Sequence, residues 1–217
     1  MKIMHSPRAL SQVFLVDRDY VKRIANSLAL RGKTVLEIGA GTGVLTHELC
    51  KHAKRVIAIE VDRRLEPNLL ARLSDCKNFE VNFVDALDFP LRGYKTIFGN
   101  LPYHLSSAIL FKIIDSDFDD AVLCLQKEFA VRLAASPASS DYSRLTVFTQ
   151  AACEVKILFD IPRFAFTPIP SVDSTVVHLH KRVQPVKLNH ALVTALFQHK
   201  NQSVKNALKH SRTTLGK

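Results

Sequence analysis

Apolar residues along the chain alternate between two arrangements: short continuous runs, and stretches in which they recur every three or four positions. A continuous run bounded by polar residues reads as a strand buried on both faces, and the wider spacing reads as a helix with one covered face. The opening segment Ser11-Gln12-Val13-Phe14-Leu15-Val16 is followed by Asp17, a good helix N-cap, and then by Tyr20, Val21, Ile24, Ala25 and Leu28 at helical spacing. Thr34-Val35-Leu36 is a first strand, a glycine-rich turn follows, and Val44, Leu45 and Leu49 mark the next helix. Arg55-Val56-Ile57-Ala58-Ile59-Glu60 is a buried strand ending in an acid. The helix after it contains Pro67, which either kinks it or marks its first turn near Leu65.

The alternation continues. Phe79-Glu80-Val81-Asn82-Phe83-Val84-Asp85 reads as a third strand, again ending in an acid. Lys95-Thr96-Ile97-Phe98-Gly99 is a fourth, running into Asn100-Leu101-Pro102-Tyr103. Leu105 to Ile114 is helical, Ala121-Val122-Leu123-Cys124-Leu125 is a fifth strand, and Gln126 to Ala135 is a helix stopped by Ser136-Pro137. Two long β-type runs, Leu145–Phe159 and Thr175–His180, close the sheet, with no helix expected between them. Strands alternating with helices predict an α/β fold with a doubly wound, mostly parallel sheet, and the last two strands predict an antiparallel hairpin at one edge. His190 to His210 reads as one or two basic helices. The expected division is a main domain over 1–183 and a short helical C-terminal segment over 184–217.

Composition narrows the class. At 217 residues and 47% hydrophobic, the chain can fill one substantial core. It has no run of eighteen apolar residues to span a membrane, and its first residues lack a signal-peptide core. The four cysteines (Cys50, Cys76, Cys124 and Cys153) are far apart and form no C-x-x-C pair, so they read as reduced thiols of a cytoplasmic protein rather than metal ligands. Net charge is +10, and no acidic residue follows Asp173, whereas Lys181, Arg182, Lys187, Lys200, Lys205, Lys209, Arg212 and Lys217 do. A basic tail of this kind suits a polyanionic partner.

The candidate chemistry sits where strands end. In doubly wound sheets ligands bind beyond the C-terminal strand ends. Here these carry the turn Glu37-Ile38-Gly39-Ala40-Gly41-Thr42-Gly43, then Glu60, Asp85 and Asn100. Glycines let backbone approach a ligand closely. Glu60 stands where an acid can accept hydrogen bonds from ribose hydroxyls, as in nicotinamide enzymes. A dinucleotide fingerprint, however, places its third glycine at what is here Val44. G-x-G-x-G preceded by an acid suits a ligand without a pyrophosphate, such as S-adenosylmethionine, with Asp85 available to an adenine amino group.

Asn100-Leu101-Pro102-Tyr103 indicates the reaction. The exocyclic amine of a base is a poor nucleophile because its lone pair is delocalised into the ring. The Asn100 carbonyl and a neighbouring backbone carbonyl can each accept one N–H bond, which aims the nitrogen at a methyl donor and localises its lone pair. Pro102 stiffens the turn. Tyr103 offers a face on which a base can stack, worth roughly 1–3 kcal/mol in single-strand sites.

With these residues the chain resembles the ribosomal RNA adenine N6-dimethyltransferase family over nearly its whole length. The resemblance runs through Gln12 and Phe14-Leu15, Glu37 to Gly43, Glu60, Asp85, Asn100 to Tyr103, the loop Ser139 to Leu145, and Phe164 to Ser174. It implies a class I methyltransferase (Rossmann-like) fold. It also implies dimethylation of two adjacent adenines in a hairpin near the 3′ end of small-subunit rRNA, on an immature small ribosomal subunit and by a monomer. By family pattern Leu15, Gly39, Glu60, Asp85 and Asn100 contact the cofactor, with Gln12, Glu37 and Gly41 on the same side. Tyr103 and Phe166 sandwich the flipped base beside Asn100, Leu101 and Pro102. Read without the family, Phe166 is equally a core residue.

Two departures stand out. The family has Asn or His where this chain has Val13, so a side-chain contact there is lost or supplied by backbone. The family's run of three cations near Phe197 to Leu208 is here Lys200-Asn201-Gln202, and the resemblance implies a reduced or shortened RNA-orienting domain. Three other readings share part of the pattern. They are an erythromycin-resistance type enzyme acting on large-subunit rRNA, an RNA-binding assembly factor without activity, and a small-molecule methyltransferase.

Overall fold

The computed structural model describes residues 12–199 and 202–210. The first eleven residues, Lys200, Asn201 and the basic residues Arg212 and Lys217 lie outside them. In chain order the elements begin with β1 (Phe14–Leu15), α1 (Arg18–Ala25), β2 (Thr34–Ile38), α2 (Val44–Cys50) and β3 (Arg55–Glu60). They continue with α3 (Glu66–Arg72), β4 (Phe79–Phe83), β5 (Thr96–Asn100), α4 (Ser106–Asp115), β6 (Asp120–Gln126) and α5 (Lys127–Leu133). The chain finishes with α6 (Arg144–Ala152), β7 (Cys153–Ile161), β8 (Phe166–Thr167), β9 (Ser174–Lys181), α7 (His190–Gln198) and α8 (Val204–His210).

Seven strands form one sheet in the order β4-β3-β2-β5-β6-β9-β7. The first five are parallel, and β9 runs antiparallel to both β6 and β7. The expected edge hairpin is therefore present, with β7 outermost and a bulge between Ile157 and Phe159. A separate two-stranded ribbon joins β1 to β8, pairing Leu15 with Phe166.

Successive residues of each central strand enter different cores, which is why these strands read as unbroken apolar runs. Ala121, Leu123 and Leu125 of β6 join Ile97, Ile109, Ile113 and Leu133 beneath α4 and α5. Val122 and Cys124 face the other way, with Val35, Val56 and Phe98, towards Ile24 of α1 and Leu49 of α2. The helix caps follow the sequence: the Asp17 carboxylate accepts from the Asp19 and Tyr20 amides, and Pro67 occupies the first turn of α3 without kinking it.

One long strand is replaced. Residues 145–152, expected to continue into β7, form most of α6. A reciprocal capping box between Ser143 and Thr146 starts this helix, and the Thr146 hydroxyl also donates to the Arg132 carbonyl at 2.6 Å. Leu145, Thr146, Phe148 and Thr149 are buried, which is the three-to-four spacing of a helix face. The expected third strand is shorter than its apolar run, ending at Phe83, so Asp85 stands in the turn beyond it.

The basic C-terminal segment forms two helices, and α7 packs on α6. The His190 ring stacks on Phe148 at 4.2 Å, Tyr142 meets Phe197 at 6.0 Å, and Arg144 donates to the Thr194 hydroxyl at 3.3 Å. Two cations of the basic run serve the fold: Lys181 donates to the Ile114 and Ser116 carbonyls, and Arg182 to the Gln150 carbonyl. Lys187, Lys205 and Lys209 are exposed.

Candidate cofactor and substrate site

A cavity of about 310 Å³ opens at the C-terminal ends of β2, β3 and β5. Gln12, Leu15, Glu37, Gly39, Gly41, Glu60, Asp85, Asn100, Leu101, Pro102 and Tyr103 all line it. The glycine turn is built for close approach. Gly39 and Gly41 have φ of +82° and +57°, a region L side chains rarely adopt. A Cβ on Gly39 would stand 3.3 Å from the Asn100 carbonyl oxygen, and one on Gly41 would stand 3.1 Å from the Phe14 ring. Phe14, held in the β1–β8 ribbon, therefore roofs the turn.

Glu60 organises the floor. Its Oε2 accepts the Gly41 amide at 2.8 Å, and its Oε1 accepts the Val61 and Asp62 amides at 2.9 Å each. Gln12 adds a longer bond of 3.3 Å to Oε1, the contact most easily exchanged for a ligand hydroxyl. Asp85 spends one oxygen on the Leu87 amide at 2.8 Å, a local turn bond, and still faces the cavity. It thus caps the local turn and also faces the cavity, where the sequence had offered it to an adenine amino group.

Glu37 is the unusual group. It is 1% exposed, and its Oε2 has no hydrogen-bond partner among the described residues. Burial raises its pKa from 4.5 to about 8; the Thr46 hydroxyl opposes this in part, and the Glu60 charge adds to it. Thr46 does not reach hydrogen-bonding geometry, since its own oxygen is also unpartnered. A buried acid with an orphaned oxygen, lining a cavity, invites a positively charged donor. Glu37, Glu60 and Asp85 all line the wall, and no lysine or arginine does among the described residues. That charge pattern disfavours a pyrophosphate and suits the ammonium and sulfonium groups of S-adenosylmethionine.

At the mouth, the Asn100 side-chain nitrogen donates to the Val13 carbonyl at 3.3 Å, which leaves its oxygen as the acceptor for a ligand. The backbone at Val13 thus orients Asn100, a contact the side chain at that position gave no sign of. The Pro102 carbonyl is occupied by the Leu105 amide and the Ser106 hydroxyl. The Leu101 carbonyl accepts no bond from the described residues, so it is the available partner for Asn100. Pro102 sits at φ −61°. The half-buried Tyr103 ring is tethered by its hydroxyl, 3.3 Å from Ser174 Oγ. Burial is the main cause that raises the Tyr103 phenol pKa, and burial likewise pushes the neighbouring Cys124 thiol up to about 12.

Phe166 is the one expected site residue that does not line the cavity. Its ring is 1% exposed and packs with Leu15, Ile24 and Ile161 behind the wall. Stacking on a base requires that ring to turn out of the core. Sequence reasoning also passed over Val61, which lines the cavity while remaining 51% exposed. It offers a flat apolar contact beside Glu60; the only hint was an apolar residue placed directly after the strand-ending acid.

Comparison with known proteins places the chain in a family and agrees with the fold. The profile of a family described as "Ribosomal RNA adenine dimethylase" matches residues 5–215. A probable ribosomal RNA small subunit methyltransferase A from Methanococcus maripaludis is 42% identical over 213 residues, 94% of this chain and 81% of that protein. The protein of the same name from Thermococcus sibiricus is 41% identical over 210 residues, 95% of this chain and 77% of that one. Among solved structures, a dimethyladenosine transferase from Plasmodium falciparum has a TM-score of 0.84 at 33% identity, covering 90% of this chain and 74% of that one. The 23S rRNA methyltransferase ErmE has a TM-score of 0.75 at 32% identity, covering 93% of this chain and 86% of that one.

Proposed function

The chain belongs to the ribosomal RNA adenine dimethylase family, and from that premise we propose that it dimethylates N6 of two adjacent adenines in the 3′-terminal hairpin of small-subunit rRNA. The substrate is an immature small ribosomal subunit and the enzyme acts as a cytoplasmic monomer. The observation that carries the reading is the meeting of two unlike surfaces: an anionic cavity with a glycine floor, and a neutral mouth formed by Asn100 to Tyr103.

S-adenosylmethionine, when bound, supplies an electrophilic methyl group. Glu37 would hold its ammonium, Glu60 would accept its ribose hydroxyls in exchange for the long Gln12 bond, and Val61 and Asp85 would contact its adenine. Gly39 and Gly41 permit the approach, and Leu15 closes the side. The Asn100 oxygen and the Leu101 carbonyl each accept one N–H of the target amine, which localises its lone pair towards the cavity. Tyr103 stacks on the extruded base, with Ser174 fixing its ring. No ionised base is needed, because the alkylated nitrogen releases its proton readily to water. Exposed cations on and before α8 (Lys187, Lys205 and Lys209) give the RNA phosphates a contact surface.

The test is transfer of labelled methyl groups to isolated immature small subunits, followed by mapping of the modified nucleotides. Two neighbouring adenines of the small-subunit rRNA are expected; incorporation into large-subunit RNA instead would replace this reading with that of the ErmE-like enzymes. Asn100→Ala should lower transfer at least ~100-fold, since it removes a positioned acceptor at the reacting nitrogen. Cofactor binding by that variant should survive at reduced affinity.

A further inference from the structure

Outside the cofactor cavity, α2 and the loop between α3 and β4 bring three metal-ligating side chains together, with a cysteine one helical turn away. His47 and Cys50 are one turn apart on α2 and share a face. Asp75 and Cys76 approach from the loop. His47 Nε2 is 3.3 Å from Asp75 Oδ2, and Cys76 Sγ is 3.7 Å from Asp75 Oδ1. Those three residues each offer a ligand atom within 4.8 Å of the others. Cys50 lies outside that three-residue group, one turn along α2 from His47 and on the same face. The loop is pinned beneath α2 by Asn78, whose side-chain nitrogen donates to the Cys50 and Ala53 carbonyls at 2.9 Å each.

We propose that His47, Asp75 and Cys76, joined by Cys50 from the same face of α2 as the fourth ligand, form a binding site for a divalent transition metal of the zinc class. Two thiolates, an imidazole and a carboxylate make a four-ligand set of the borderline-soft type that zinc takes in tetrahedral sites. The local charge also calls for a cation. Asp75 stands exposed within the group, and the neighbouring Lys51 is already paired with Glu48 at 2.7 Å. His47 and Cys76 are partly exposed and Asp75 is exposed, so solvent metal has access. On binding, each thiol passes its proton to solvent as the sulfur–metal bond forms. The metal would tie the C-terminal half of α2 to the α3–β4 loop, and so brace the helix that begins at the glycine turn. On this proposal Cys50 and Cys76 depart from the expectation that the cysteines are not metal ligands. A second group, Asp120 with His178 and His180, is different in kind. One carboxylate oxygen takes both imidazoles, at 2.8 and 2.9 Å, so its hydrogen bonds are already complete, and it has no sulfur ligand.

The experiment titrates Co(II), and then Zn(II), into the reduced, metal-free full chain and follows absorbance and bound metal. One equivalent of Co(II) should give thiolate-to-cobalt charge transfer and the strong d–d bands of a tetrahedral site, and Zn(II) should abolish both. The Cys50→Ser/Cys76→Ser double variant should lose the bands entirely while its circular dichroism and S-adenosylmethionine binding match the parent protein. His47→Ala should bind more weakly, with the thiolate transition retained. Absence of a thiolate transition in the parent overturns the proposal, as does its persistence in the double variant. So does finding that the protein isolated without reductant has lost two hydrogens in mass through a Cys50–Cys76 disulfide and cannot take up metal once reduced.

Discussion

Replacing Glu37 by Gln tests the electrostatic design of the cofactor cavity more directly than any other change. The carboxyl is buried, and its pKa is raised from 4.5 to about 8, first by desolvation and then by the neighbouring Glu60 charge. Between those values the folded chain keeps a proton that the unfolded chain releases. The stability this group contributes is therefore complete below pH 4.5 and is lost as pH rises towards 8. At ~1.4 kcal/mol per pH unit, the whole interval is worth roughly 5 kcal/mol, and the part between pH 5 and pH 7 roughly 3 kcal/mol. Gln has the same shape and does not titrate. Urea denaturation of both cofactor-free proteins from pH 5 to pH 8 should show the Gln variant gaining on the parent by about that amount. The difference isolates Glu37, because every other titrating group is common to both. The second readout is binding. An ammonium at the orphaned oxygen would ionise Glu37, so titration calorimetry in buffers of different ionisation enthalpy at pH 7 should register proton release in the parent only. The variant should bind S-adenosylmethionine more weakly. Stability curves that run parallel across this range would refute the argument, whatever the variant does to turnover.

Three further changes probe other parts of the structure. Gly39→Ala places a Cβ 3.3 Å from the Asn100 carbonyl at φ +82°. It should cost roughly 1–2 kcal/mol in denaturant unfolding and weaken cofactor binding in fluorescence titration. Tyr103→Phe keeps the ring and loses only the Ser174 contact, whereas Tyr103→Ala removes the stacking face. On a minimal RNA hairpin the Phe variant should stay near parent kcat/KM, and the Ala variant should fall by about 10- to 100-fold, the equivalent of a base–aromatic stack. Ser143→Ala breaks the capping box of α6 and should destabilise by ~1 kcal/mol in urea; no effect would favour the extended reading of that segment.

The parallel part of the fold was legible because its strands are buried on both faces. A run such as Ala121 to Leu125, entirely buried, has no polar alternation to confuse with anything else. Residues 145–152 misled for the opposite reason. Thr146, Val147 and Thr149 are β-branched and adjoin a true strand, so local propensity outvoted a weak three-to-four pattern. The better signal lay upstream, in Ser143 and Thr146 at capping-box spacing, with Thr146 taking the place of the usual Glu or Gln. The site was legible where it is made of strand ends, since topology alone puts the glycine turn, Glu60, Asp85 and Asn100 at one end of the sheet. It was illegible where packing decides: the burial of Phe166, the tether from Val13 to Asn100, and the convergence of His47 with Asp75 and Cys76.

The distribution of charge explains how one small domain serves two ligands of opposite sign. The chain as a whole is +10, yet the cavity wall carries Glu37, Glu60 and Asp85 and no lysine or arginine among the described residues. RNA phosphates are drawn to the outer surface and repelled from the cavity, whereas a cationic cofactor experiences the reverse. Between the two lies Asn100-Leu101-Pro102-Tyr103, which is uncharged. On the proposed reading a neutral base crosses that boundary without meeting a charge of either sign, and meets two carbonyl acceptors and an aromatic face. A lysine introduced at this mouth would attract phosphate into the cofactor's approach and compete for the same carbonyls. On that reading, neutrality at Asn100 to Tyr103 is as much a requirement of the reaction as the hydrogen bonds proposed for these residues.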